Sequence, residues 1–244
     1  MIVTGASRGI GAAIAELAGK RGYAVCVNYS RSGEAAEQVV ARISAAGGKA
    51  VAIQADVSKD AEARRLFAAV DEQLGRVDAL VNNAGIIGRQ CRVDEMDERL
   101  LAEVFAVNTF SYFYCAREAL RRMSTKHGGK GGAIVNISSA AARHGGLPRE
   151  THYAGSKGAI DSMTVGLAKE VGTEGVRVNA IRPGLILTDI HQVHGGQAAI
   201  DKVAPSVPIG RAGQPMEIAE AAVWLCSDAA SYVHGAVIDV SGGR

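Results

Sequence analysis

Short apolar runs rich in β-branched residues alternate along the chain with longer, alanine-rich amphipathic runs. The short runs predict seven strands, at 2–4, 24–28, 50–54, 79–82, 133–137, 176–181 and 236–240. The longer runs predict helices at 10–21, 33–46, 59–74, 98–127, 152–171 and 215–225. Regular alternation of strands and helices is typical of βαβ units, in which the strands run parallel.

This order of elements predicts a doubly wound α/β sheet. Right-handed crossovers between parallel strands place helices on both faces, and ligands bind at the carboxyl ends of the strands. The chain has 244 residues, 48% of them hydrophobic, and no internal repeat or linker. We therefore expect a single-domain Rossmann fold over 1–244 with a seven-stranded parallel sheet. The long connection at about 188–213, before the last strand, is predicted to be a substrate-side lid.

Composition and charge exclude several classes of partner. The 27 basic and 25 acidic residues are interspersed and leave a formal net charge of +2, which argues against a nucleic-acid surface. No apolar run approaches the roughly 18 residues of a membrane span, and no secretory leader is evident. The four cysteines form no Cys-x-x-Cys pair. We expect a cytoplasmic protein that binds neither nucleic acid nor membrane.

Three glycines follow the first predicted strand in the run TGASRGIG, at Gly5, Gly9 and Gly11. Glycine at such a turn lets the main chain approach a pyrophosphate, and the amino terminus of the next helix supplies free N–H groups and a favourable dipole. For an isolated motif of this kind, a tight turn without a ligand is the alternative. Its place at the start of a βαβαβ pattern favours a dinucleotide.

The end of the second predicted strand bears on the choice of nicotinamide cofactor. NAD enzymes usually carry a carboxylate there for the adenosine ribose, whereas this chain reads Asn28, Tyr29, Ser30 and Arg31. Arg8, in the glycine-rich turn, and Arg31 could instead pair with a ribose 2′-phosphate. We expect NADP(H) to be preferred, with NAD(H) as a second cofactor that the site could accept. The alternative is that both arginines are solvated surface cations.

A Tyr-x-x-x-Lys pair, Tyr153 and Lys157, falls within the predicted helix 152–171. A spacing of four places both side chains on one helix face, where a lysine ammonium favours the phenolate and makes tyrosine a usable acid or base. Ser138 and Ser139 follow the fifth predicted strand, at the edge where the ligand crevice is expected. Taken alone, the pair could equally be a half-buried tyrosine beside a surface lysine.

Seven motifs occur in one order along essentially the whole chain: TGASRGIG at 4–11, Asp56, NNAG at 82–85, Asn108, Ser138-Ser139, Tyr153-x-x-x-Lys157 and Pro183-Gly184. In this set the chain resembles the short-chain dehydrogenase/reductases, and is similar to their bacterial glucose 1-dehydrogenase-like and 3-oxoacyl-[acyl-carrier-protein] reductase-like members. The resemblance implies Tyr153 as general acid/base, with Lys157 lowering its pKa and holding the nicotinamide ribose. It implies that Ser139 hydrogen-bonds the substrate oxygen and that Asn108 supports a proton relay through water. Ser138 remains the alternative to Ser139.

The expected cofactor contacts combine the glycine-rich turn, the end of the second strand and positions implied by the resemblance. They are Gly5, Ser7, Arg8, Gly9, Ile10, Gly11, Asn28, Arg31, Asp56, Val57, Asn82, Ala84, Gly85, Tyr153, Lys157, Pro183, Gly184, Ile186 and Thr188. Outside the family pattern, Asp56 and Asn82 would be interpreted as residues that form turns at strand ends.

The resemblance implies hydride transfer between nicotinamide and a secondary alcohol or carbonyl compound, sugars included, with no metal. His191 and His194 have a His-x-x-His spacing but no evident third ligand, so we predict lid or surface histidines. One alternative is a catalytically silent dinucleotide-binding sensor of the same fold. Another is an epimerase or dehydratase of nucleotide sugars, which usually has a longer chain.

The resemblance also implies a homotetramer, built on the long helices after the fourth and fifth strands and on the carboxyl-terminal segment. An acyl-carrier protein would be a further partner, and it would prefer a basic docking patch. Five residues could form one: Arg117, Arg121, Arg122, Lys126 and Lys130. Arg143, His144 and Arg149 could favour a polar or anionic substrate or could form a solvated rim.

Overall fold

The seven strands form one parallel sheet in the computed structural model, which describes residues 1–190 and 195–244. They are β1 (Ile2–Val3), β2 (Ala24–Tyr29), β3 (Lys49–Gln54), β4 (Ala79–Asn82), β5 (Gly132–Ile137), β6 (Val176–Pro183) and β7 (Val237–Val240). The order across the sheet is β3-β2-β1-β4-β5-β6-β7, and all paired neighbours are parallel. The doubly wound, seven-stranded Rossmann fold predicted from the sequence is confirmed.

The α-helices connect these strands and cover both faces of the sheet. They are α1 (Gly9–Lys20), α2 (Gly33–Ala45), α3 (Asp60–Gln73), α4 (Glu98–Phe105), α5 (Ser111–Met123), α6 (Ala141–His144), α7 (Thr151–Val171), α8 (Gln197–Val203) and α9 (Pro215–Cys226). One core packs α1, α2 and α9 against strand residues such as Val3 and Val81. The other packs α3, α5 and α7 against their strand neighbours, Ile2 and Leu80. Neighbouring residues thus serve opposite cores, as the two-residue period of a strand requires.

Strand β1 is only two residues long although it lies in the middle of the sheet. Ile2 pairs with Cys26 on one side and with Leu80 on the other, and it is fully buried. The flanking residues extend the hydrogen bonding, because the Cys26 N–H donates to the Met1 carbonyl at 2.9 Å and the Thr4 N–H donates to the Val81 carbonyl at 3.0 Å. Pairing on both sides thus holds a strand that is shorter than usual.

The prediction of one continuous helix over 98–127 was wrong, because the structure divides this range into shorter elements. Helix α4 ends at Phe105, a π-helical turn covers Ala106–Phe110, α5 follows, and a 3₁₀ turn covers Thr125–His127. A π-turn accommodates one extra residue within a helix, and apolar periodicity alone does not reveal it. The turn contains Asn108, whose tertiary hydrogen bonds are described below.

The structure also contains two short helices that the periodicity did not predict, α6 after β5 and α8 in the segment 188–213. The base of this segment is held by main-chain hydrogen bonds, from Leu187 N–H to Gly213 O at 2.9 Å and from Gly213 N–H to Leu185 O at 2.8 Å. His191 and His194 lie outside the described residues. Within the described ranges, no helix has the length and apolarity that crossing a membrane would require.

Candidate active site

A groove of about 460 Å³ opens at the carboxyl ends of the strands. Strand order reverses between β1 and β4, and the edge beside such a reversal is where doubly wound sheets bind ligands. Nine of the predicted site residues line the groove: Ile10, Gly85, Ser139, Tyr153, Lys157, Pro183, Gly184, Ile186 and Thr188. The other predicted residues lie in the adjoining glycine-rich turn, at the ends of β2, β3 and β4, and, for Asn108, behind the groove.

The glycine-rich turn has a backbone that only glycine adopts easily. Gly5 and Gly9 have positive φ angles of +61° and +56°. A Cβ atom on Gly11 would lie 2.5 Å from both Asn83 Nδ2 and the Gly5 carbonyl oxygen. The Arg8 side chain makes no capping hydrogen bond at the start of α1. The first N–H groups of α1 therefore remain free to bind an anion.

Thr4 and Asn83 fix this turn to the loop that follows β4. The Thr4 hydroxyl oxygen accepts hydrogen bonds from the N–H groups of Asn83 at 2.9 Å and Ala84 at 3.1 Å. In return, the Asn83 amide donates to the carbonyls of Thr4 at 2.9 Å and Gly5 at 3.1 Å. Neither residue was among the predicted site residues. Their position inside the TGASRGIG and NNAG motifs was the available signal.

Asn28 and Asn82, both predicted to contact the cofactor, have buried side chains that bond within the protein. Asn28 Oδ1 accepts from the Gly5 N–H at 3.3 Å, and its Nδ2 donates to the Ala55 carbonyl at 3.0 Å. Asn82 Nδ2 donates to Asn136 Oδ1 at 2.9 Å. Both Nδ2 groups thus order the ends of the strands, while the buried Asn82 Oδ1 has no hydrogen-bond partner among the described residues.

Asp56 and Val57 follow β3. Partial burial opposes ionisation of the Asp56 carboxyl, but hydrogen bonds from Ser58, together with nearby Lys59, hold its pKa below the usual value. The Ser58 hydroxyl donates to Asp56 Oδ1 at 2.6 Å. Val57 is 5% exposed. The turn-forming role considered for Asp56 is therefore present in the structure.

Tyr153, on α7, and Ser139, among the residues that follow β5, lie beside each other in the groove. Burial raises the pKa of the Tyr153 phenol, and hydrogen bonding by the Ser139 hydroxyl lowers it in part. The protein by itself therefore holds this phenol protonated at neutral pH. Ser138 is buried, and its hydroxyl donates to the Lys157 main-chain carbonyl at 3.2 Å. Of the two serines, only Ser139 is directed at the phenol.

Lys157 lies at the floor of the groove and is 3% exposed. Its Nζ donates to the Ile137 carbonyl at 2.8 Å and to the Tyr112 hydroxyl oxygen at 3.2 Å. Burial lowers the pKa of this amine to about 7, and the carboxylate of Asp161 opposes that effect. At the Tyr153 phenol, burial is the largest influence on the pKa, and it raises the value. That Lys157 lowers the pKa of Tyr153 stays a prediction from the family resemblance.

Asn108 is fully buried in the π-helical turn. Its Oδ1 accepts from the Ile86 N–H at 2.8 Å, while its Nδ2 donates to the Ile86 carbonyl at 2.8 Å and to the Ser156 hydroxyl at 3.0 Å. These bonds connect the loop after β4 to α7 between Tyr153 and Lys157. The amide therefore positions the helix that carries both residues, and its bonded side chain does not face the groove.

Comparison with known proteins agrees with this arrangement. A family model described as Enoyl-(Acyl carrier protein) reductase matches residues 5–244. The uncharacterized oxidoreductase YgfF of Escherichia coli K12 is 47% identical over 243 residues, which cover 100% of this chain and 98% of that protein. A double mutant of a Serratia marcescens short-chain dehydrogenase/reductase has a TM-score of 0.91 at 34% identity, covering 99% of this chain and 96% of that one. The chain belongs to the short-chain dehydrogenase/reductase family.

A further structural neighbour has ligands in its site. A 7α-hydroxysteroid dehydrogenase complexed with NADH and 7-oxo glycochenodeoxycholic acid has a TM-score of 0.90 at 36% identity, covering 99% of this chain and 92% of that chain. As a short-chain dehydrogenase/reductase, the present protein is an NAD(P)-dependent oxidoreductase that acts on small molecules.

The substrate end of the groove in this short-chain dehydrogenase/reductase is mainly apolar. Six apolar side chains line it: Ile87, Leu147, Pro148, Ile190, Ile200 and Val203. Among the polar lining groups, Gln90 Nε2 donates to Glu150 Oε1 at 2.7 Å. His144 and Arg244 lie at the same end. The apolar residues come from the segments that follow β4, β5 and β6, and Arg244 follows β7.

The arginines considered for anionic ligands are mostly paired with carboxylates. Near the groove, Arg143 contacts Asp239 at 2.9 Å and Arg149 contacts Glu95 at 3.0 Å. The predicted acyl-carrier patch is similar: Arg117 pairs with Asp60 and Glu118, Arg121 with Glu118 at 2.9 Å, and Arg122 with Asp71 at 2.7 Å and Glu118 at 3.1 Å. Compensated arginines attract an anionic partner weakly, so the structure does not favour either anionic ligand.

Proposed function

We propose that this protein is an NADP(H)-preferring oxidoreductase that moves a hydride between nicotinamide and a secondary alcohol or ketone, with Tyr153 as the general acid/base. The observation that carries the proposal is the cluster of Ser139, Tyr153 and Lys157 at the floor of a groove that continues to the amino terminus of α1. Acid/base groups next to a phosphate-binding turn suit a reaction between a dinucleotide and a small molecule.

The residues around the glycine-rich turn fit a dinucleotide. Positive φ at Gly5 and Gly9 and the free N–H groups of α1 form an anion cradle. A Cβ atom on Gly9 would lie 3.3 Å from the Thr188 side chain, so a side chain at position 9 would narrow the passage between turn and lid. A bound nicotinamide would supply or accept the hydride.

The chain's own groups handle the proton and the substrate oxygen. Because burial raises the pKa of Tyr153, its phenol is protonated at neutral pH and can donate to a carbonyl oxygen. The Ser139 hydroxyl lies beside the phenol and can hydrogen-bond the same oxygen. The protonated phenol is the form that reduction of a ketone requires, and the deprotonated phenol is the form that oxidation of an alcohol requires.

The lining of the substrate end supports an apolar ketone more than a sugar. A sugar requires hydrogen-bonding partners for several hydroxyl groups, whereas the walls consist largely of isoleucine, leucine, valine and proline side chains. Among the polar lining groups, Gln90 and Glu150 bond to each other. We therefore propose a substrate with an apolar body and one reactive carbonyl or hydroxyl group.

The proposed NADP(H) preference rests on Arg8 and Arg31. Both side chains are exposed, at the start of α1 and just after β2, and within residues 1–190 and 195–244 neither guanidinium has an ion-pair partner. No carboxylate stands at 28–31 to bond a ribose hydroxyl or repel a 2′-phosphate. Two uncompensated guanidinium groups and no acid favour the phosphorylated cofactor.

A homo-oligomer is part of the proposal. Large apolar side chains are exposed on α5 and near the carboxyl terminus, including Phe113 at 50%, Trp224 at 42% and Tyr232 at 101%. Apolar groups of this size usually become covered when copies of a chain associate. The tetramer implied by the family resemblance would bury them.

The test is a fluorescence titration of the wild type and of the double variant Arg8→Ala/Arg31→Ala with NADPH and with NADH. The wild type should bind NADPH at least about tenfold more tightly than NADH, and the double variant should lose about 10- to 100-fold in NADPH affinity while NADH binding changes little. Arg21→Ala is the matched control, because Arg21 is exposed at the far end of α1. Equal loss for both cofactors, or tighter NADH binding by the wild type, would contradict the proposed preference.

A further inference from the structure

Tyr112 is a buried polar residue outside the predicted catalytic set. It lies in the first turn of α5, four residues after Asn108, and none of its surface is exposed. Its hydroxyl donates to the Ile137 main-chain carbonyl at 2.9 Å. Ile137 ends β5 and directly precedes Ser138 and Ser139, so Tyr112 reaches the strand end that presents the serine hydroxyl to the groove.

The same hydroxyl oxygen accepts a hydrogen bond from Lys157. Nζ of Lys157 donates to Tyr112 Oη at 3.2 Å and also to the Ile137 carbonyl at 2.8 Å. The three groups thus form a closed triangle. Nζ also lies 5.1 Å from the centroid of the Tyr112 ring, within range of a cation–π contact.

The directions of the hydrogen bonds in this triangle are fixed. The Tyr112 hydroxyl donates its proton to the Ile137 carbonyl oxygen, which can only accept a hydrogen bond. Towards Nζ the Tyr112 oxygen therefore acts as the acceptor. Burial raises the pKa of Tyr112 well above its ordinary value, so the phenol stays neutral. Tyr112 therefore presents a lone pair and an aromatic ring to Nζ without adding a charge, and both favour the ammonium form of Lys157.

Few other charged or titratable groups face this amine. On its own helix they are Tyr153 and Asp161, and Tyr112 is the one from α5. Strand β5 contributes the Ile137 carbonyl, and the loop after β4 contributes Gly85, where a Cβ atom would lie 3.4 Å from Nζ. Because burial disfavours the charged amine, the hydrogen bonds to Tyr112 Oη and to the Ile137 carbonyl, together with the Asp161 carboxylate, stabilise its ammonium form.

We propose that Tyr112 is a positioning residue for Lys157, which holds the amine at the end of β5 and keeps it in the ammonium form. The proposal rests on the proposed function, in which Lys157 works beside Tyr153 at the floor of the groove. Tyr112 does not contact the substrate end; it acts through Lys157. An ammonium group at this point attracts the anionic dinucleotide and favours ionisation of Tyr153 during turnover.

The direct test follows the protonation of Lys157 by NMR in protein labelled with [ε-¹³C]lysine, with the signal assigned by its loss in Lys157→Met. Tyr112→Phe removes the acceptor oxygen and keeps the ring, so the titration midpoint of Lys157 should fall by about one pH unit. The NADPH dissociation constant of this variant at pH 7 should rise about three- to tenfold. Tyr114→Phe is the matched control, because Tyr114 lies on α5 with its ring near Arg117, and this variant should leave both values unchanged.

A second measurement uses the wild type and does not depend on the folding of Tyr112→Phe. In protein labelled with [ζ-¹³C]tyrosine, the Tyr112 signal should shift with the same midpoint as Lys157, and this shift should be absent in Lys157→Met. The proposal would be overturned if the titration midpoint of Lys157 were unchanged in folded Tyr112→Phe. It would also be overturned if the Tyr112 signal did not shift as Lys157 titrates. Neither readout needs a cofactor. A coupled titration without NADPH binding would therefore support the role of Tyr112 and count against the proposed function.

Discussion

The two ends of the groove are built in different ways. At the nucleotide end, main-chain geometry dominates: Gly5 and Gly9 adopt positive φ, and Gly11 has no space for a Cβ atom. At the substrate end, side chains from three separate segments form the walls, with Ile87, Leu147 and Ile200 as examples. A turn that requires glycine at fixed positions produces a compact motif that can be recognised in the sequence. A pocket whose side chains come from distant parts of the chain produces no such motif.

Substitution of Tyr153 should change kcat more than any of the other substitutions, while nucleotide binding stays nearly unchanged. Tyr153→Phe removes the proton donor and keeps the ring, so kcat should fall by about 10²- to 10⁴-fold while the NADPH dissociation constant stays within about twofold of wild type. Steady-state kinetics and fluorescence titration on the same samples measure the two quantities.

Ser138→Ala is the control for this variant. It removes a neighbouring hydroxyl that bonds the Lys157 carbonyl rather than facing the phenol. Its turnover should stay within about tenfold of wild type, in keeping with the loss of one buried hydrogen bond. Near-normal turnover by Tyr153→Phe would contradict the assignment of the proton donor to Tyr153, and with it the separation of chemistry at the substrate end from binding at the nucleotide end.

A smaller effect tests the nucleotide end. In Gly11→Ala the new Cβ atom would meet Asn83 Nδ2 and the Gly5 carbonyl oxygen at 2.5 Å, so the turn must move. The free energy of unfolding should fall by about 1–3 kcal/mol and the NADPH dissociation constant should rise about tenfold or more. Denaturant unfolding and fluorescence titration measure these changes.

Gly166→Ala is the matched control for that substitution. Gly166 lies within α7, and a Cβ atom there would meet nothing within 4 Å. This variant should gain about 0.5–1 kcal/mol of stability and bind NADPH normally. If both alanine variants behaved alike, the main-chain account of the nucleotide end would be wrong.

The sheet and its helices were predictable because each element buries a long periodic face. Burial on both sides of the sheet gives strands such as β2 and β5 a run of apolar residues, and seven short apolar runs predicted seven strands. The π-helical turn around Asn108 was not predictable, because its hydrogen bonds reach Ile86 and Ser156, which are distant in sequence. Helix α8 is only seven residues long and too short for its period to be recognised.

The position of a site residue was predictable where it depends on local spacing. Tyr153 and Lys157, four residues apart on one helix, line the same groove as expected. Asn28 and Asn82 have the right positions, but their amides are used inside the protein, which only the tertiary structure reveals. Tyr112 was missed for a related reason: an aromatic residue on an amphipathic helix usually fills a core, and nothing near it in the sequence indicates Lys157 as its partner.

Charge was the least predictable property. Arg117, Arg121 and Arg122 form a basic run in the sequence, yet in the structure they surround Glu118, which is buried. The partners of a surface arginine include carboxylates from other elements, such as Asp71 for Arg122. A cluster of arginines in the sequence is therefore not enough to predict a positively charged surface, because carboxylates from other parts of the chain can neutralise it.

Direct hydride transfer from nicotinamide to a carbonyl carbon can be followed by isotope transfer. The protein would be incubated with both C4-deuterated epimers of NADPH, separately, and with a panel of apolar ketones, and the alcohol products would be analysed by mass spectrometry and NMR. We expect one epimer to deliver a single deuterium to the carbinol carbon of a product. Product without deuterium from either epimer, or no turnover of any ketone despite tight NADPH binding, would contradict it.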